Sequence, residues 1–389
     1  MDLRKLPEDL DAAGRVETRR TLIEAELGVD LSALNVLSEQ VGAADERNCE
    51  QMFGAVPIPV GLAGPLPIIF SSGEVRDVYV PLATTEGALV ASVNRGCKAI
   101  REVGGVRIFS EYRGITRSVA FEVFSADTSE RVRELENEWK VVAEATSSHL
   151  KILSYEIDVK DNVLFLTIAA DTDEAMGMNM VTIAAQAVGE FLSKELHIRV
   201  LTVAGNVDSD KKPSIRTKKL GRGYRVKAEV VLSEKIVRTV LKSEIDALLK
   251  TAHAKLDVGS QIAGALGKNL HVANVIAALY LATGQDAAHV VEGSLGDTVV
   301  SRRSDGVHIS LELPAVLVGV RGGGTNLPAQ KQCLDLVLRE KTALRPSTQL
   351  AETIAAAALA GEISLLAAQA TNSLASAHNT FARSQRDIQ

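Results

Sequence analysis

LKILSYEIDVKDNVLFLTIAA, residues 150–170, decides how this chain is read. It holds two runs rich in β-branched and apolar residues, joined at Lys160-Asp161-Asn162, and so reads as two strands and a tight turn. Upstream, VRIFSEYRGITRSVAFEVF (106–124) reads as strand and DTSERVRELENEWKVVAEA (127–145) as helix. Downstream, AMGMNMVTIAAQAVGEFLSKEL (175–196) reads as helix and HIRVLTVAG (197–205) as a final strand. Strand, helix, two strands, helix, strand is the split-βαβ, ferredoxin-like order.

The flanks differ. Residues 1–49 read as a polar, helical segment with VETRRTLIEAEL as its amphipathic stretch. VPIPVGLAGPL (56–66) is dense in Pro and Gly, hence extended and turning. TTEGALVASVNRGCKAIREVGG (84–105) predicts a helix capped by Thr84 or Thr85, with Glu86 in its first turn. Leu89, Val90, Val93, Cys97 and Ile100 mark its apolar face, and Ser92, Arg95 and Lys98 share another. Beyond residue 215 the chain reads as mostly helical: SEKIVRTVLKSEIDALLKTAHAKL, LHVANVIAALYLATG (stopped by Gly284) and STQLAETIAAAALAGEISLLAAQA. The last is apolar round much of its circumference, so it is expected inside the domain or in a subunit interface.

The expected fold class is therefore α+β. A large, mainly helical domain with a sheet (50–108 and 215–389) carries a small ferredoxin-like insertion (109–201), with a lysine loop at 202–214.

Composition narrows the function. The 389 residues are 46% apolar and 24% charged, as in a globular protein of two or three domains. A net charge of −6 argues against nucleic acid as a partner. MDLRKLPEDLDAAGR is too charged for a signal peptide, and the apolar runs are too short or interrupted by glutamates to span a membrane. Cys49, Cys97 and Cys333 lie far apart, giving neither a disulfide framework nor a zinc site, and a cytoplasmic protein is expected. HExxH, GxSxG, GxxxxGK[ST] and GxGxxG are all absent, and the histidines are not paired at metal spacing.

Four polar features remain: Glu86, Asp210-Lys211-Lys212 in DSDKKPSIR, Asp286 in GQDAAHVVEGS, and His378 near the C-terminus. Taken singly, each also reads as an ordinary helix-end, loop or tail residue. Two glycine-marked stretches suit an anionic cofactor: Gly177 at a helix start and the RGGGTN nest at 321–326. The basic run RTKKLGRGYRVK reads as a solvated strand edge.

PIPVGLAGPL, TTEGALVASVNRGCKAI, AMGMNMVT, DKKP, GQDAA, GGGTNL and HNTFARS run co-linearly from about residue 46 to the end. Together they resemble the soluble catalytic part of 3-hydroxy-3-methylglutaryl-CoA (HMG-CoA) reductases of the class I, archaeal type. The resemblance implies NADPH-dependent reduction of the thioester to mevalonate and free CoA, NADH being the alternative cofactor. It implies that Lys211 is the cation at the acyl oxygen, Glu86 the proton donor, Asp286 the acid tuning this pair and His378 the donor to the CoA thiolate. Arg117, Asn206, Asp210, Lys212, Lys255, His271 and Asn274 would hold the acyl group, and Ser92, Asn94, Arg95 and Lys242 the CoA. Ser147, Ser148, Glu174, Met176, Gly177, Met178, Asn179, Arg321 and Gly322 to Gly324 would meet the nicotinamide cofactor. No metal is implied, and a homodimer or higher even oligomer with the site between subunits is.

This chain departs from the family pattern at Ala204 (usually Ser), Glu174 (Asp), Ser148 (Arg), Arg321 (an apolar residue) and Gln51 (Asn). Arg321 would replace the cation missing at Ser148. Ala204 leaves open a relative that oxidises mevalonate or takes another branched 3-hydroxyacyl-CoA. A non-catalytic CoA-binding dimer would have lost the catalytic set, which this chain keeps.

Overall fold

The computed structural model describes residues 3, 5–7, 9–35, 40, 42–125 and 127–371. Nine strands are described: β1 (Val60–Ile69), β2 (Val75–Ala83), β3 (Val106–Glu122), β4 (Lys151–Lys160), β5 (Val163–Asp171), β6 (Arg199–Thr202), β7 (Gly223–Leu232), β8 (Asp297–Arg303) and β9 (Gly306–Val316). β3 is 17 residues long and serves two sheets. Its first half pairs parallel to β1 and antiparallel to β7, in the order β2-β1-β3-β7-β9-β8. Its second half lies between β5 and β6, with β4 outside β5, and all three pairings are antiparallel. Residues 150–170 thus form the β4–β5 hairpin, turning through Asp161 and Asn162, both at positive φ.

Each sheet has its own core. The second half of β3, β5 and the Met178–Leu196 helix bury Val119, Phe121, Leu164, Leu166, Val181 and Val188 around Trp139. The larger core joins β1, β2, β7 and β9 to the Leu89–Arg101 and Val272–Thr283 helices and the Pro346–Ala370 helix.

Pro346–Ala370 is long and apolar enough to cross a membrane, the one such helix among the described residues, and 94% of its apolar window is buried in the protein. Its buried glutamates are fully engaged, as carboxylates removed from water must be. Glu352 accepts from Ser71 and Ser110, and Glu362 from the Leu270 and His271 N–H groups and Thr298. Glu362 therefore caps the start of the Val272–Thr283 helix. A Cβ on Gly96 would lie 1.9 Å from the Ala360 carbonyl, so glycine there lets two helices touch backbone to backbone.

The described residues beyond 215 are mainly helical, with β7, β8 and β9 completing the larger sheet. Two local expectations are corrected. SEKIVRTVLKSEIDALLKTAHAKL is divided into Glu234–Thr239, Ile245–Ala252 and a wide-turn segment His253–Gly259. The TTEGAL helix begins only at Leu89, because Ala88 takes a left-handed conformation, and Glu86 precedes it. Glu86 donates its N–H to the Thr84 hydroxyl, so the threonine organises a turn where a helix cap was expected.

Candidate active site

The DSDKKPSIR loop stands on a buried polar platform. Asn206, Ser209 and Lys211 all have positive φ, and each such non-glycine residue costs about 1 kcal/mol or more. Compensation comes from below. Glu292, fully buried, accepts at Oε1 from the Lys211 backbone N–H (3.1 Å), Arg222 Nη1 (2.8 Å) and His289 Nδ1 (2.9 Å). Arg222 also holds Asp210 Oδ1 at 2.9 Å and donates to Thr116. Arg117 reaches Asp208 at 3.3 Å and Asp210 at 3.6 Å, and donates to Thr182.

Above this platform, Lys211 Nζ lies 2.8 Å from Asp286 Oδ2, both side chains partly exposed. Burial raises the Asp286 carboxyl, but the Lys211 hydrogen bond, the Ala288 N–H and the His289 charge outweigh it and leave it below the usual carboxylate range. Asp210 behaves likewise: burial raises it, and Arg222, with His289 and Arg117, brings it below. Asp208 is different. Burial dominates and raises it despite Arg222 and Arg117, and its Oδ1 is buried without a hydrogen-bond partner among the described residues.

Lys211 and Asp286 open onto a cavity of about 580 Å³, a size suited to a small-molecule site. Met176, Gly177, Met178, Asn179, Arg321 and Gly322 to Gly324 line its other walls. Backbone contact holds them there. Ala175 bridges Arg321, and a Cβ on Gly284 would lie 2.3 Å from the Gly324 carbonyl. Gly284 also ends the Val272–Thr283 helix at φ +70°, so one residue stops the helix and admits the triple-glycine turn beside Asp286. A Cβ on Gly322 or Gly323 would meet nothing within 4 Å, so their backbone faces open space. The Met178–Leu196 helix begins at this wall with Gly177 as its cap, presenting N–H groups to the cavity region. This cradle fits a phosphate-bearing cofactor.

The remaining predicted residues are scattered around this centre. Glu86 accepts from Asn274 Nδ2 at 2.6 Å, and among the described residues no hydrogen bond or ion pair joins it to Lys211 or Asp286. Lys212 is exposed and donates to the Asp210 carbonyl, and Asn206 is exposed. Lys255 donates to Gln369. His271 caps the Val272–Thr283 helix, its Nε2 buried against Gly361 without a hydrogen-bond partner among the described residues. Ser92 and Arg95 both bond Ser364, while Asn94, Arg95, Lys98 and Arg101 line a basic groove with Gly64 and Val240. Lys242, two residues beyond Val240, is exposed.

Three cofactor assignments are not among the residues lining the cavity. Glu174 caps the Pro346–Ala370 helix by accepting from the Ser347 N–H, and Ser147 accepts from the His149 N–H with Ser148 exposed beside it. His378 lies outside the described residues.

A profile of the family described as hydroxymethylglutaryl-coenzyme A reductase matches residues 15–383. The chain belongs to this family. It is 41% identical to 3-hydroxy-3-methylglutaryl-coenzyme A reductase of Methanocaldococcus jannaschii over 381 residues, covering 94% of this chain and 92% of that one. The enzyme of the same name from Halobacterium salinarum is 39% identical over 392 residues, covering 98% and 96%. In fold, the chain is similar to a class II HMG-CoA reductase from Streptococcus pneumoniae bound to NADPH, with TM-score 0.67 over 90% of this chain and 96% of that one, at 19% identity.

Sequence reasoning missed Asp208, Arg222, His289 and Glu292. Arg222 is corrected outright: the run expected to be a solvated strand edge contains a guanidinium whose side chain is 1% exposed. Its signal in the sequence is nil, since burial depends on partners 70 residues away. His289 and Glu292 did carry one, recurring at three-residue spacing after Asp286. Asp210, His289 and Glu292 are near enough to share an ion, but the Arg222 guanidinium already bridges the two carboxylates.

Proposed function

We propose that the chain reduces (S)-3-hydroxy-3-methylglutaryl-CoA to mevalonate and free CoA, consuming two NADPH. The observation that carries this reading is Lys211 Nζ, 2.8 Å from Asp286 at the mouth of the glycine-lined cavity. Family membership over residues 15–383 supports it.

When bound, NADPH supplies the hydride for each of the two reductions. Met176, Gly177, Met178, Asn179, Arg321 and the 322–324 glycines would hold it through backbone N–H groups and one cation. Lys211 would face the acyl oxygen and stabilise the negative charge that develops there. Asp286 would hold the ammonium in place, and the Lys211 backbone, tied to Glu292, would fix the base of the side chain. Each reduction puts one proton on the acyl oxygen, the first of them leaving again as the C–S bond breaks, and Glu86, oriented by Asn274, is the assigned donor. His378 would protonate the departing CoA thiolate. Arg117, Lys212, Lys255 and Asn274 would receive the acyl group, with Asn206, Asp210 and His271 beside it. Ser92, Asn94, Arg95 and Lys242 would hold CoA, with Lys98 and Arg101 adding charge to the groove. Ser147, Ser148 and Glu174 would act at the rim of the cofactor site.

The finer reading is a class I, archaeal-type cytoplasmic enzyme in which residues 109–201 form the inserted cofactor domain. Two separate buried cores support that division. That no hydrogen bond or ion pair among the described residues joins Glu86 to Lys211 within one chain supports a homodimer, or a higher even oligomer, that completes the site.

The test follows NADPH absorbance with purified protein and HMG-CoA, then mevalonate plus CoA and NADP⁺. Two NADPH consumed per mevalonate formed is the expected result; no oxidation of NADPH or NADH with HMG-CoA would reject the reading.

A further inference from the structure

His289 is fully buried three residues beyond Asp286, and the chemistry above gives it no task. Its surroundings define one. Glu292 Oε1, lying against the Arg222 guanidinium and the Lys211 N–H, is an acceptor, so His289 Nδ1 must carry the hydrogen of their 2.9 Å contact. In a neutral ring this leaves Nε2 with a bare lone pair. That lone pair faces Asp286 Oδ2 at 3.6 Å, and Nε2 has no hydrogen-bond partner among the described residues. Two lone pairs opposed at this distance repel each other, and one proton between them turns repulsion into a hydrogen bond.

The charges around the ring agree. Asp286 and Glu292 flank it on its own turn, and Asp210 comes from the lysine loop, 4.0 Å from Nδ1. Arg222 bridges Asp210 and Glu292 from the start of β7, and Lys211 meets Asp286 from above. The Tyr280 phenol, on the Val272–Thr283 helix, feels both Glu292 and Asp286 and is held neutral by burial. Three carboxylates and two cations thus surround the ring, the Arg117–Asp208 pair beyond Asp210 adding one charge of each sign, and a single added proton makes the cluster neutral.

We propose that His289 is a positioning residue that shares one proton with Asp286, fixing the carboxyl that holds Lys211 and keeping that proton beside the reaction site above the pH at which a lone carboxylic acid would lose it. The inference rests on the HMG-CoA reading. The proton belongs to the pair, so its loss appears as one macroscopic step in the pH dependence.

The test is the pH profile of kcat and KM for HMG-CoA reduction by wild type and His289→Gln. Gln places a neutral donor near the Nε2 position but cannot titrate. At pH 7.5, kcat should fall on the order of tenfold with KM within about twofold. The deficit should shrink as pH is raised through the step at which the wild-type pair loses its proton, since the variant lacks that proton throughout. His289→Asn, which keeps a donor toward Glu292, should show the same pH-dependent deficit and serves if the Gln variant does not fold by thermal melting. An unchanged kcat, or a loss equal at every pH, overturns the proposal. Inactivity of the wild type would instead reject the HMG-CoA reading itself.

Discussion

The two sides of the Lys211 loop are built by opposite rules. Beneath it, Asp210, Arg222, His289 and Glu292 are tied to one another, and Arg222 and Glu292 are almost wholly buried. Above it, Lys211 and Asp286 stand partly exposed at the cavity, and the loop's own Asn206 and Lys212 are exposed, Lys212 donating to the Asp210 carbonyl. The lower side holds a strained backbone in one conformation. The upper side is left free to meet large ligands and, on the proposed reading, a second subunit. Preorganisation is thus concentrated where an ammonium must wait beside an acyl oxygen, and adaptability where CoA must enter and leave.

Breaking the lower side should cost the most. Arg222→Met leaves Asp210 and Glu292 buried without their shared cation, a loss of about 3–5 kcal/mol. Urea unfolding should show the midpoint falling, and an unmoved midpoint would mean that the platform does not support the loop. Arg321→Ala sharpens the comparison from the upper side. It removes a cation from the cavity wall without touching the platform, so the preference for NADPH over NADH should fall about five- to tenfold in kcat/KM, with the unfolding midpoint unchanged. An unaltered cofactor preference would take Arg321 out of the site.

The same division governs what could be read from the sequence. The β3-to-β6 unit was legible because strand and helix periods are local, and Gly284 and the triple glycine were legible because turns have their own residues. β9 was not, since a strand buried along most of both faces carries little alternation, whereas β7 does alternate Tyr224, Val226, Ala228 and Val230 with Arg225, Lys227 and Glu229. Of the proposed site, the motif-borne residues Lys211, Asp286, Met176 and Gly322 do converge on one cavity. Arg222 stayed hidden because its exposed-looking run owes its burial to tertiary partners. Glu174 and Ser147 were assigned by position alone, and their side chains accept from the Ser347 and His149 N–H groups.

Substituting Lys211 itself tests most directly whether its ammonium acts at the acyl oxygen. In Lys211→Met, NADPH oxidation with HMG-CoA should fall by about 10³-fold or more, while thermal melting and NADPH binding stay at wild-type values. Activity retained within about tenfold of wild type, in a folded protein that still binds NADPH, would contradict the account.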